Sequence, residues 1–210
     1  MRSSKGSIGR PNSGGAREAH RERHLAALRA GLAASAPGPL THDERDDLLT
    51  MREEEKVARD VYLRLFDRWG LRPFENIGAS EQGHMDAILV LLDHHGVPDP
   101  AQGLGVGRFR SPEMQALHDR LVQEGLQAQG TAVRTGLVIE ELDIADLRAA
   151  AGRTRRPEIL AVYAELERGS RNHLRAFYRW MRRLGIQYAP THLTEREFHS
   201  IATSEHERCQ

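Results

Sequence analysis

Four stretches of this chain carry apolar residues at three- and four-residue spacing along most of their length, and in each of them an ionisable side chain interrupts the stripe. That period is the helical one, and no stretch alternates apolar and polar residues with period two, so the pattern predicts an all-α fold without a sheet. The boundaries are marked. Thr41-x-x-Glu44 has the form of a capping box and Gly70 that of a C-terminal stop, which bounds a long first helix. A second runs from Asn76 or Ile77 to His95, ended by Gly96 and Pro98, and a third from about Thr131 to Ala151. The fourth starts at Pro157, a favoured first-turn residue, and continues to Leu184 before Gly185. A glycine-rich loop over Pro100–Phe109 leads into a shorter helix from Pro112 to about Gln127, and Thr194-x-x-Glu197 caps a short helix near the C-terminus. Four long striped helices with these short helices added predict an antiparallel four-helix bundle.

Composition supports this and closes off other readings. Apolar residues make up 39% of the chain but aromatics only 5%, so the core rests on aliphatic side chains that suit helix packing. Thirty basic residues balance thirty acidic ones, which leaves no overall field pointing to nucleic acid or membrane. Cys209 is the one cysteine, so the chain can form neither an intrachain disulfide nor a thiolate zinc site, and a metal must be held by nitrogen and oxygen. No apolar run reaches the roughly 18 residues of a membrane span, and the N-terminus has no signal-peptide core, so a cytoplasmic location is the simplest expectation.

Two domains are expected: a basic, mostly disordered tail over 1–39 and a helical domain over 40–210. In the tail, seven basic residues (Arg2, Lys5, Arg10, Arg17, Arg21, Arg23, Arg29) stand against Glu18 and Glu22, a net of +5, and Ala16 to Ala34 offers a short helix before the Ala36-Pro37-Gly38-Pro39 breaker. That charge, without interleaved aromatics, argues against a nucleic-acid partner.

The stripes carry the chemistry. In the first helix Leu48, Met51, Glu55, Ala58, Tyr62, Leu65 and Trp69 share a face; in the second, Ile77, Glu81, His84, Ile88 and Leu91 do. The third aligns Val133, Leu137, Glu140, Ile144 and Leu147, with Asp143 three residues past Glu140; the fourth aligns Leu166, Ser170, His173, Phe177, Trp180 and Leu184. Singly these are weak signals. With 19 Glu and 11 His in the chain, about one Glu-x-x-His pair is expected by composition alone. Glu53-Glu54-Glu55 reads by itself as a solvated acidic turn, Glu141 and Asp146 as solvated, and a lone core histidine as a hydrogen-bonded packing residue. His118 and the other scattered histidines read as exposed, and Gly169 within a helix reads as close packing of a neighbouring backbone. Convergence is what counts: three or more carboxylates buried together repel one another, and a divalent cation resolves the conflict. Glutamates with neutral imidazoles suit iron or manganese, and zinc is also accommodated. The competing reading is a metal-free bundle whose polar core groups bond to one another.

The segment Glu55-Lys-Val-Ala-Arg-Asp-Val-Tyr62 resembles the first-helix pattern of rubrerythrins and ferritins, and Ser80-Glu-Gln-Gly-His84 resembles their second-helix Glu-x-x-His. More closely, these blocks with Ile139-Glu-Glu-Leu-Asp-Ile-Ala-Asp-Leu147 and Gly169-Ser-Arg-Asn-His-Leu-Arg-Ala-Phe177 resemble a ferritin-like family, the domain of unknown function 2202, over about Leu40 to Ile201. The resemblance implies a ferritin-like bundle with Glu55, Glu81, His84, Glu140 and His173 as metal ligands, Asp143 as an extra ligand and Tyr62 beside them. It implies a di-iron centre reacting with peroxide, or with dioxygen and Fe(II), as a ferroxidase- or peroxidase-type oxidoreductase. It leaves a homodimer open. The alternative it carries is a non-catalytic metal-binding or stress-related scaffold. Two departures stand out. Ser170 occupies the place of the superfamily's fourth-helix glutamate, which bears on whether one metal binds or two. With Cys209 alone the chain has no rubredoxin-type centre, so an external electron donor is expected.

Overall fold

The protein is described by a computed structural model covering residues 13–33 and 37–208. It comprises two compact units, Met1–Ala36 and Pro37–Gln210. In the first, α1 (Ser13–Ala33) forms a helix where the sequence offered a short one from Ala16 to Ala34. The expected disorder at 1–12 and 34–36 lies outside the described residues.

The second unit is all helical: α2 (His42–Trp69), α3 (Arg72–His94), α4 (Pro112–Gly125), α5 (Gln129–Arg153), α6 (Pro157–Arg183) and α7 (Glu195–Thr203). No strand occurs among the described residues, and no helix is long and apolar enough to cross a membrane. At the start of α2, Thr41 Oγ1 accepts from Glu44 N at 3.2 Å while Glu44 Oε2 accepts from Thr41 N at 2.9 Å, the reciprocal box that satisfies two otherwise orphaned amides. The helix ends at Gly70, whose φ of 63° is the left-handed conformation glycine tolerates best. Helix α3 begins at Arg72, four residues before the earlier of the two expected starts. Pro73 sits in its first turn, where the missing N–H forfeits no helical bond.

Helix α2 packs against α3 and α5, and α6 packs against α5 and α3, so the four long helices form a ring. Paired positions give their directions. Glu55 meets His84 while Arg59 meets Gln82; Tyr62 meets Glu140 while Glu54 meets Asp146; His173 meets Glu140 while Glu167 meets Arg148. In each pair one number rises as the other falls, so these neighbours run in opposite directions. Helix α4 covers α2 and α5, and α7 covers α6. Leu48, Ala58, Leu65, Ile88, Leu137, Ile144 and Phe177 are fully buried between the long helices, as the stripes require, whereas Leu184 at the end of its stripe is exposed. Tyr62, Phe74 and Phe177 are fully buried and pack at 5.3 to 5.8 Å between ring centroids with their planes tilted by 38° to 45°.

Candidate metal centre

Each long helix presents its stripe inward, and burial therefore carries the interrupting polar groups to the middle of the ring. Glu81 and Glu140 are fully buried and Glu55 is 2% exposed, with His84 and His173 close behind at 9% and 8%. They fall into two groups, Glu55, Glu81, His84 and Glu81, Glu140, His173, within each of which the ligand atoms lie within 4.8 Å of one another. Glu81 belongs to both. Its Oε2 is 2.7 Å from His84 Nδ1 and its Oε1 is 2.8 Å from His173 Nδ1. His84 Nδ1 is also 3.1 Å from Glu55 Oε2, and His173 Nδ1 is 3.3 Å from Glu140 Oε2. The two imidazoles stack with centroids 5.5 Å apart.

These short distances are largely not hydrogen bonds. Both oxygens of Glu81, Glu140 Oε2 and His173 Nδ1 are buried without a hydrogen-bond partner of acceptable geometry. Buried polar atoms are normally satisfied, and here they crowd together without the alignment a proton would impose. The set of carboxylate oxygens and imidazole nitrogens, with no sulfur, matches the donors that iron or manganese take.

Surrounding groups hold these side chains in place. His173 Nε2 is 3.0 Å from Ser80 Oγ; when Nε2–H donates there, the Nδ1 lone pair is left facing Glu81 and Glu140. The Tyr62 hydroxyl donates to Glu140 Oε1 at 2.5 Å. A Cβ on residue 169 would lie 2.5 Å from His84 Nε2, so the glycine clears space for that ring and not, as expected, for a neighbouring backbone. The Ser170 hydroxyl, fully buried, donates to Leu166 O at 3.2 Å and turns away from the centre. Asp143, expected as an extra ligand, is buried but belongs to neither group.

The electrostatics follow from burial. Burial raises the Glu55 carboxyl to about 7 despite the opposing pull of His84. Burial would likewise raise Glu81, but the two imidazoles outweigh it and hold this carboxyl below the usual range. Burial disfavours charge on His173, yet Glu81 and Glu140 lift it to about 10, and Glu55 and Glu81 lift His84 in the same way. Without a metal, then, protons on the imidazoles offset the carboxylates; a divalent cation can take over that task.

Several polar groups lie differently from the sequence expectation. Glu53 and Glu54 are buried beside Glu55, so the acidic triplet is no solvated turn. Glu53 accepts from Arg110 N and Ser111 N, fixing the loop that follows α3. Glu141, expected in solvent, is fully buried and accepts from Thr191 N, His192 N and Leu193 N and from the Tyr188 hydroxyl. His118 is buried and approaches Asp119 at 2.9 Å. Burial, Asp146 and Glu55 push the Glu54 carboxyl up to about 8. The signal for Glu54 was present but weak: it lies seven residues after Asp47, a helical spacing that aligns both acids toward α5.

The family described as uncharacterized protein domain DUF2202 matches residues 44–205. Uncharacterized protein MJ0754 of Methanocaldococcus jannaschii is 42% identical over 170 residues, spanning 81% of this chain and 92% of that protein. The crystal structure of hypothetical protein MJ0754 from Methanococcus jannaschii aligns with a TM-score of 0.80 at 42% identity, covering 82% of this chain and 99% of that one.

Proposed function

We propose that this chain, which belongs to the DUF2202 family, folds its long helices as a ferritin-like antiparallel four-helix bundle and holds a dinuclear non-haem iron centre that acts as an oxidoreductase. One observation carries the reading: the Glu81 carboxylate offers one oxygen to each of two ligand groups, as a bridge between two ions would. Glu55 and His84 complete one position, Glu140 and His173 the other. Iron held there would supply the redox chemistry, since two Fe(II) carry the two electrons that, with two protons, convert one hydrogen peroxide to two waters. The protein's part is positional. Tyr62, packed against Phe74 and Phe177, fixes Glu140, and Ser80 fixes the His173 tautomer. Peroxide, or dioxygen with Fe(II), is the proposed substrate, and an external donor restores the electrons.

A second reading, a metal-holding scaffold without turnover, is favoured by Ser170, which leaves α6 with His173 as its single contribution. Anaerobic Fe(II) loading followed by peroxide separates the two. The oxidoreductase takes up two Fe(II) per chain and oxidises them within the mixing experiment; a scaffold takes them up and leaves them reduced. Glu140→Gln is expected to lower uptake to one ion, and Glu81→Gln to weaken both positions. Wild-type protein that stays free of iron contradicts both readings.

A further inference from the structure

Glu54 and Asp143 stand outside both ligand groups, yet they are 8% and 4% exposed, and Glu54 Oε2 and Asp143 Oδ2 have no hydrogen-bond partner. Other buried acids of this fold have partners that explain them: Glu53 and Glu141 accept backbone amides, and Asp60 pairs with Lys56. These two have other carboxylates. The charges acting most strongly on Asp143 are Glu55, Glu140, Glu81 and Glu54, and those on Glu54 are Asp146, Glu55 and Asp47.

Their placement is ordered. On α5, Glu140, Asp143 and Asp146 follow one another at three-residue steps, each about 5–6 Å from the next at Cβ and turned about 60° around the helix. On the facing α2, Glu54 adjoins Glu55 and aligns with Asp47. Exposure rises along the row, from Glu140 at 0% through Asp143 at 4% to a half-buried Asp146 beside Glu54. Asp47 flanks the outer end, held by Arg153 at 2.6 and 2.9 Å. At the outer end His192 and Arg153 face Asp146, but no cation is among the strongest charges on Glu54 or Asp143, and such carboxylates are a poor way to fill a core, since an aliphatic side chain would pack there at no desolvation cost. Grading from solvent to a cation site, they suit an ion that passes and does not stay.

We propose that Asp146, Glu54 and Asp143 form a cation path along the seam of α2 and α5, through which a divalent metal ion travels from solvent to the Glu55–Glu81–His84 position. This rests on the metal-centre reading above. The path sets the rate of loading, while the ligands set the amount held.

Stopped-flow mixing of full-length, metal-free protein with Co(II), followed by its visible absorbance, tests this. Glu54→Gln combined with Asp146→Asn is expected to load at least tenfold more slowly and still reach two ions per chain; Asp146→Asn alone, at a half-buried position, gives a smaller slowing. Glu195→Gln, at an exposed position in the first turn of α7, loads at the wild-type rate. Unchanged rates in the path variants overturn the proposal, as does a fall in the final amount at an unchanged rate, which would make these acids ligands. Wild-type protein that binds no Co(II) overturns the metal centre and the path together.

Discussion

At the level of single residues, the proposed centre depends on what is small or turned away as much as on the carboxylates and imidazoles that meet there. Gly169 costs α6 about 1 kcal/mol of helix propensity relative to alanine, but a Cβ there meets His84 Nε2 at 2.5 Å and Cε1 at 2.7 Å. Gly169→Ala is therefore expected to displace the His84 ring and lower metal content from two ions to one per chain, with the helix content by circular dichroism unchanged. Retention of two would mean that the ring can shift without losing its ligand position. Ser80→Ala removes the partner of His173 Nε2 and is expected to weaken metal binding about 10–100-fold, read by competition with a chelator. The stripes made the five ligand candidates legible because their period is local. Gly169 was legible only as an anomaly: its partner lies on another helix, 85 positions away in sequence, and nothing in the local pattern distinguishes a ring from a backbone as the close neighbour.

Among the elements, α2 shows where local pattern ends. Its inward face was readable from Leu48 to Trp69, but its other side is buried too. Arg52 makes a two-pronged pair with Asp99 at 3.0 Å, Lys56 reaches Asp60 and Gly105 O, and Asp60 accepts from Gly107 N. These charges look solvated in sequence because the loop that covers them is about fifty residues away. Lys56 and Asp60 are 1% and 0% exposed at their side chains, so removing one strands the other. Lys56→Met should lower unfolding free energy by about 3 kcal/mol in urea titration; a loss below about 1 kcal/mol would show that the Gly107 amide and Arg59, whose Nε donates to Asp60 Oδ1 at 2.8 Å, suffice for Asp60. The first turn of α2 gives a pH prediction. Burial alone would raise Glu44, but bonds from Thr41 N, Thr154 and Arg156 more than offset it and hold this carboxyl at about 2, below the ordinary 4.5. A depressed folded value contributes stability that is complete above pH 4.5 and lost as pH falls toward 2. Glu44→Gln should flatten that part of the acid-unfolding curve, and an unchanged slope would contradict it.

For the whole molecule, helix order, type and approximate limits were legible because caps, glycines and prolines punctuate the chain, and the start of α3 was missed because Pro73 looks the same as a breaker and as a first-turn residue. The family match begins at residue 44, and α1 belongs to the other compact unit, so deletion of residues 1–36 is expected to leave the metal content of the remaining domain unchanged. The central claim is that Glu81 joins two metal positions inside the ring of α2, α3, α5 and α6. Anomalous diffraction from crystals grown with Fe(II) or Mn(II) tests it most directly. The account predicts two peaks flanking the Glu81 carboxylate, one contacted by Glu55 and His84 and the other by Glu140 and His173; a single peak, or none in the ring, would contradict it.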